Sequence, residues 1–291
     1  MNLPAFLVHA LVAGTAIALA SGLTGYFLVL RAQVFTGDAL SHVAFTGSMA
    51  ALAIGVDLRV GLYVTTVLVA VLMAVLGRRG VADDVVIGNL FAWMLGLGAF
   101  FLTLYTTNRS TGNGSAGVTV LFGSIFGISA RQALIAAAVG VGISLTLILL
   151  ARPLLFATLD PAVAAARGVP VRLLGVVFLV AVGACAAEAT QAVGALLLLG
   201  LLAAPAGTAQ RLTSRPYRAL ALSVVVALAD IWVGLGVSYL VPVLPPSFAI
   251  LAVATLAYVV ALVQERARAR SRRSLRRLDR TNSRITDAPI R

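Results

Sequence analysis

Runs of about twenty apolar residues recur along almost the whole chain. An α-helix rises 1.5 Å per residue, so a run of this length crosses the roughly 30 Å of hydrocarbon in a bilayer. Short segments of alternating polarity, which a transmembrane β-barrel requires, are absent. The pattern therefore predicts an all-α fold, a polytopic membrane bundle of about nine transmembrane helices, with eight to ten as the range.

Composition supports a membrane protein, because 60% of the 291 residues are hydrophobic and only 11% are charged. One apolar segment, 119–129, is too short to cross the bilayer, and we expect it to be interfacial or re-entrant with a covered backbone. The longer runs predict spans at about 5–30, 38–56, 60–77, 85–106, 131–151, 171–188, 190–210, 217–241 and 247–264.

The inventory of reactive residues excludes several functions. All 22 basic residues are arginine, and a Walker A motif requires lysine, so the chain cannot hold a nucleotide in a P-loop. The sequence contains no nucleophile–base pair and no His-Glu-x-x-His motif that would indicate a membrane enzyme. The single cysteine, Cys185, rules out a disulfide within the chain.

Arginine is concentrated in alternate loops, as expected when cytoplasmic loops carry the positive charge. With nine spans, 19 arginines fall on the side of the C-terminus and three on the other. This distribution predicts a cytoplasmic C-terminus and an external N-terminus. We predict a transmembrane domain over 1–264 and a basic, disordered or surface-lying tail over 265–291, whose ten arginines suit anionic lipid rather than nucleic acid.

The stretch 36–47 places an acid and an imidazole in an otherwise apolar region. Asp38 and His42 are four residues apart, so a helix puts both side chains on one face, where they can approach the same small cation. Ionisable groups inside a membrane are functional candidates because burying them is costly. The alternative is that Asp38 caps a helix beginning there and His42 bonds to a neighbouring helix.

Further intramembrane groups are candidates for the same pathway. Glu188 is predicted near the outer end of the sixth span, where solvation by water competes with such a role. Asp230 lies deeper, in the eighth span, although a hydroxyl on a neighbouring helix would also satisfy it. We interpret Cys185 as a small packing residue and His9 as an interfacial one.

The loop 159–170, between the fifth and sixth predicted spans, predicts a short helix outside the membrane. Asp160 is suited to the N-cap and Pro161 to the first helical position. Gly168, just after Arg167, is suited to a left-handed helix end. Such a helix is either an ordinary connector or a rigid surface that a soluble partner grips.

Five segments of the chain, in order 37–42, 121–125, 159–168, 191–194 and 204–209, match motifs that occur in the same order in one transporter family. Through them the chain resembles the ABC-type zinc/manganese permease family over roughly residues 14–264. The resemblance implies a type II ABC importer fold in the bacterial inner membrane. It also implies a homodimer of permeases, two cytoplasmic ATPase subunits that use ATP, and an extracellular or periplasmic metal-binding protein.

The resemblance also implies roles for individual residues. Asp38 and His42 would coordinate the transported divalent metal, with zinc as the first choice and manganese or iron as alternatives. The helix 159–168 would couple the permease to its ATPase. Val163 stands where the family commonly has an acid, and the segment 244–248 departs from the family's Pro-Ser-Gly.

If the permease is a two-fold homodimer, Asp38 and His42 from both copies would offer four ligands to one metal. Two other mechanisms remain open. A permease for a metal chelate or vitamin would use small neutral residues, of which the chain has many, and would not need the Asp38–His42 pair. An ion-coupled secondary transporter would relay ions through intramembrane acids, but no internal repeat is visible.

Overall fold

The computed structural model describes residues 4–77, 83–108 and 115–286, and the regular structure within these ranges is entirely helical. The predicted all-α fold is confirmed. In chain order the described elements are α1 (Ala5–Leu30), α2 (Val34–Ile54), α3 (Leu58–Leu76), α4 (Asp84–Asn108), α5 (Ser115–Phe122), a 3-10 helix (Ile125–Gly127), α6 (Ala130–Leu159), α7 (Pro161–Ala166), α8 (Val171–Val193), α9 (Leu198–Leu212), α10 (Pro216–Leu240) and α11 (Pro246–Thr286).

Seven of the described helices are long and apolar enough to cross a membrane, namely α1, α3, α4, α6, α8, α10 and residues 246–268 of α11. α2 has 21 residues and coincides with a predicted span, but polar residues interrupt its apolar sequence. α9 has only 15 residues. Every predicted span thus corresponds to a helix, while the number of nine spans is approximate.

Several predicted span boundaries differ from the helix bounds, and two of the differences have clear causes. α6 continues to Leu159, past the predicted end at 151, because Pro153 removes one helical hydrogen bond without ending the helix. The sequence-based boundary takes the charged Glu188 as the end of its span, whereas α8 continues to Val193. The break comes at Gly194, whose φ of +93° takes the chain out of the helix.

α1 and α8 form the centre of the bundle. Buried residues make up 61% of the apolar window of α1 and 72% of that of α8, against 11% for α4. α1 packs against α6, α8, α9 and α10, while α2 packs against α3 and α4. Small residues allow these close approaches, since a Cβ at Gly25 would lie 2.1 Å from the carbonyl oxygen of Leu202.

Polar side chains connect the end of α9 to α11 close to residue 265, where the predicted basic tail begins. Arg211, at the end of α9, pairs with Glu265 at 2.5 Å and donates a hydrogen bond to the Tyr258 hydroxyl at 2.8 Å. The backbone of α11 continues as a helix to Thr286. The division of the chain at 264 remains a prediction, and Arg78, Arg79 and Arg109, which contribute to the charge pattern, lie outside the described residues.

Candidate metal-binding site

The predicted acid–imidazole pair lies on α2. This helix begins at Val34, four residues before its predicted start, with Gln33 as the N-cap. Asp38 is therefore inside the helix, and the alternative that it caps α2 is wrong. Asp38 and His42 lie one turn apart on the same face, and both side chains are half-buried.

Contacts on either side of α2 fix its rotation about its own axis. The Ser41 hydroxyl lies 2.9 Å from the carbonyl oxygen of Ala195, in the segment between α8 and α9. The Thr46 hydroxyl donates to the carbonyl oxygen of Met94 in α4 at 2.7 Å. The His42 ring packs edge-on against Phe91 of α4, with ring centres 5.2 Å apart. The face of α2 that carries Asp38 and His42 therefore has a fixed orientation relative to α4 and to the segment between α8 and α9.

Glu188 is 4% exposed, so the expectation that water competes for its side chain is wrong. Tyr63 of α3 donates a hydrogen bond to its Oε1. Sequence reasoning missed Tyr63, because a tyrosine in an apolar run has no special meaning until its hydroxyl has a buried partner. The pair joins α3 to α8, and no described contact joins Glu188 to Asp38 or His42.

The other intramembrane candidates have separate surroundings. Asp230 is buried in α10, and its Oδ2 has no hydrogen-bond partner among the described residues. Cys185 is also buried, with its sulfur 3.6 Å from the Ser21 hydroxyl, as a packing residue would be. His9 is half-buried in α1.

Within the described ranges, no three His, Cys, Asp or Glu side chains come together in an arrangement that could hold a metal ion. Asp38 and His42 could supply two ligands, one oxygen and one nitrogen. Tetrahedral zinc takes four ligands, so the pair would fill half of such a site. Among the described side chains, one copy of the chain offers no further ligand that would complete a metal site with this pair.

Two interruptions of the helical backbone meet beside α2. One is the turn between α5 and the 3-10 helix, and the other is the break at 194–197. The N–H of Ala195 donates to the carbonyl oxygen of Val120 at 3.1 Å, and the N–H of Ser124 donates to that of Gln191 at 3.2 Å. Protein thus covers part of the backbone of 119–129, as the sequence predicts for a segment too short to span.

α7 lies in the loop where the sequence predicts a helix. Asp160 is its N-cap, with Oδ1 accepting a hydrogen bond from the N–H of Val163 at 3.0 Å, and Pro161 occupies the first helical position. Arg167 is the C-cap, and Gly168 follows with a φ of +79°. Both ends of this short helix are therefore stabilised by local interactions.

The fold defines a multi-pass membrane protein, and comparison with known families defines its kind. The family described as the ABC 3 transport family matches residues 4–265. The chain therefore belongs to the ABC 3 transport family. As a member of this family, the chain is a membrane-embedded transport subunit. This agrees with the resemblance that its sequence motifs indicated.

Individual relatives agree with the family match. The chain is 32% identical over 211 residues to the manganese transport system membrane protein MntC of Halalkalibacterium halodurans, covering 72% of this chain and 70% of the relative. It is 29% identical over 205 residues to the manganese import system permease protein ScaB of Streptococcus parasanguinis, covering 70% and 71%.

A solved structure shares the architecture. The structure of PsaBC from Streptococcus pneumoniae in complex with Fab superimposes with a TM-score of 0.76 and 25% sequence identity, covering 89% of this chain and 91% of the matched chain. The agreement extends over most of both chains.

Proposed function

We propose that this chain is the membrane permease of an ATP-driven importer of divalent transition metal ions. The observation that carries the proposal is the Asp38–His42 pair, which lies on one half-buried face of α2, and contacts with α4 and with the break between α8 and α9 fix the direction of that face. A carboxylate and an imidazole suit the divalent metals of the first transition row. No soft thiolate cluster competes with them in the described residues.

Manganese is the cargo we favour, ahead of the zinc that the motif resemblance put first. Two relatives are named for manganese transport or import. Oxygen ligands also suit manganese, while imidazole accepts both metals. Zinc and iron stay as alternatives, to be separated by measurement.

Two copies of the chain complete the proposed site. A two-fold axis beside α2 would bring together Asp38 and His42 from both copies, giving two oxygen and two nitrogen ligands. The low burial of α4, which packs on α2, leaves a large surface on this side of the bundle for such a contact. Incomplete or alternating coordination would let the site release its ion, as transport requires.

Energy and delivery would come from partner proteins. In the proposed assembly two cytoplasmic ATPase subunits engage α7 through Asp160, Pro161, Arg167 and Gly168, and hydrolyse ATP. An extracellular or periplasmic metal-binding protein supplies the ion. The support is the capped form of α7 and membership of an ABC transport family. Such a complex belongs in the bacterial inner membrane, with the C-terminus in the cytoplasm.

Uptake into proteoliposomes tests this function. Vesicles would contain the chain, its ATPase and its metal-loaded binding protein, and manganese and zinc would be compared with and without ATP. We expect ATP-dependent manganese accumulation. The variants Asp38→Asn and His42→Gln should each reduce it by about tenfold or more, because each removes one ligand per copy at nearly constant volume.

Matched controls are available in the same chain. Asp57→Asn and His9→Gln make the same chemical changes at an exposed helix cap and near the start of α1, and they should leave uptake unchanged. Undiminished uptake in the Asp38→Asn, His42→Gln double variant would refute the site. Uptake that ignores ATP and follows a proton gradient would refute the function.

A further inference from the structure

Arg31, the residue directly after α1, is held in a specific position. Its Nε donates a hydrogen bond to the Thr158 hydroxyl at 2.9 Å, and its guanidinium carbon lies 4.6 Å from the centre of the Phe178 ring. Burial lowers the pKa of Arg31 to about 10, so the side chain stays charged at neutral pH. An arginine that served only as a positive-charge signal beside a span would not need these two partners.

The two partners of Arg31 flank α7 in the sequence. Thr158 is in the last turn of α6, two residues before the cap residue Asp160, and Phe178 is in α8, which follows α7. The Thr158 hydroxyl donates to the carbonyl oxygen of Leu154 at 2.6 Å, so its orientation is fixed. A displacement of α7 that moves either flanking helix therefore acts on the Arg31 guanidinium.

On the α6 side of this contact, a proline inside the helix creates a position where the helix can bend. Pro153 lies inside α6, five residues before Thr158, and lacks the N–H that would bond to the preceding turn. Helices bend at such positions. The end of α6 that contacts Arg31 can therefore tilt with α7 while the longer part of α6 stays packed against α1.

On its other side Arg31 is joined rigidly to α2. Ala32 has a φ of +56° and is the one non-glycine residue in the described ranges with positive φ. The N–H of Ala32 donates to the carbonyl oxygen of Val29 at 3.1 Å, and that of Gln33 donates to the carbonyl oxygen of Leu28 at 2.8 Å. These two bonds form a tight helix end immediately before α2. The turn therefore leaves little freedom between Arg31 and the first residue of α2.

We propose that Arg31 is a positioning residue that carries movement of α7 to the Asp38–His42 face of α2. The inference rests on the proposed function, because it assigns the two ends of the path to an ATPase and a metal. Asp38 lies in the second turn of α2, so a tilt imposed through Arg31 at the start of this helix changes where the ligand pair points. Metal affinity and ATP hydrolysis are thereby linked through one side chain.

The test is the amount of manganese transported per ATP hydrolysed by the full complex in proteoliposomes. Arg31→Lys keeps the positive charge and loses the Nε donor and the planar guanidinium. We expect Arg31→Lys to hydrolyse ATP near the parental rate while manganese transported per ATP falls about tenfold, the size of an ordinary coupling free energy between two sites. Thr158→Val, which removes the acceptor, should lower the same ratio.

Arg172→Lys is the matched control, because Arg172 is exposed in the first turn of α8 and has no described contact with α2. It should leave the ratio unchanged. An unchanged ratio of manganese transported to ATP hydrolysed in Arg31→Lys would overturn the inference. The inference would also be overturned if ATP hydrolysis and uptake fell together, in proportion to a lowered melting temperature, because that result indicates a loss of folded protein. Failure of the parental complex to show ATP-driven uptake would instead overturn the proposed function.

Discussion

Tyr63 and Glu188 show how one side chain changes the meaning of another. A carboxyl group with 4% exposure needs a hydrogen-bond partner, and Tyr63 supplies it across the α3–α8 interface. We expect Tyr63→Phe to destabilise the folded protein by about 1–3 kcal/mol, because it leaves the Glu188 oxygen buried without its donor. Thermal unfolding in detergent measures this loss.

Tyr217→Phe serves as the control for this substitution, since Tyr217 is 58% exposed and its hydroxyl can bond to water. It should change the melting temperature little. The Tyr63→Phe, Glu188→Leu double variant should be less destabilised than the sum of the two single variants, because each single change already breaks the same bond. Strict additivity would show that the hydrogen bond contributes nothing to stability.

Among the elements, the break between α8 and α9 depends on Gly194. Gly194 has a φ of +93°, and a Cβ there would lie 2.3 Å from the carbonyl oxygen of Leu121. We expect Gly194→Ala to cost about 1–3 kcal/mol from backbone strain alone, before the clash is counted. Gly142→Ala is the control, because a Cβ at Gly142 meets nothing within 4 Å. Equal melting temperatures for the two variants would contradict this account.

α7 depends on its N-cap in the same way that α3 does, which allows a paired experiment. Asp160 caps α7 and Asp57 caps α3, each accepting a backbone N–H. Asp160→Ala should weaken α7 by about 1 kcal/mol and reduce ATP-driven manganese uptake, whereas Asp160→Asn should preserve both. Asp57→Ala removes an equivalent cap away from α7 and should leave uptake unchanged. If both alanine variants transport equally well, α7 is only a connector.

At the scale of the whole molecule, the length of the apolar runs is sufficient to predict the all-α bundle and most of its helices. Capping chemistry predicts α7 from Asp160, Pro161 and Gly168, because these interactions are local in the chain. The helix spacing also places Asp38 and His42 on one face. The end of α8 is mispredicted because the partner that buries Glu188 comes from α3, and no local pattern in the sequence records that contact.

The orientation of the whole chain can be tested with single cysteines in a Cys185→Ser background. Arginine distribution predicts that position 57 is external and position 215 cytoplasmic, and both side chains are exposed in the bundle. In intact cells a membrane-impermeant maleimide should label Asp57→Cys, and it should label Arg215→Cys only after permeabilisation. The reverse labelling pattern would invert the proposed topology, with the C-terminus outside.

The crossing of α5 with the α8–α9 break also has a consequence for biogenesis. The backbone of 119–124 finds hydrogen-bond partners in residues 191–196, which are synthesised only after α6, α7 and most of α8. Unsatisfied backbone groups are not tolerated in hydrocarbon, so α5 has no stable place at membrane depth until those residues arrive. We therefore expect this early segment to stay at the membrane surface during synthesis and to reach its final position late, out of the order in which it was translated.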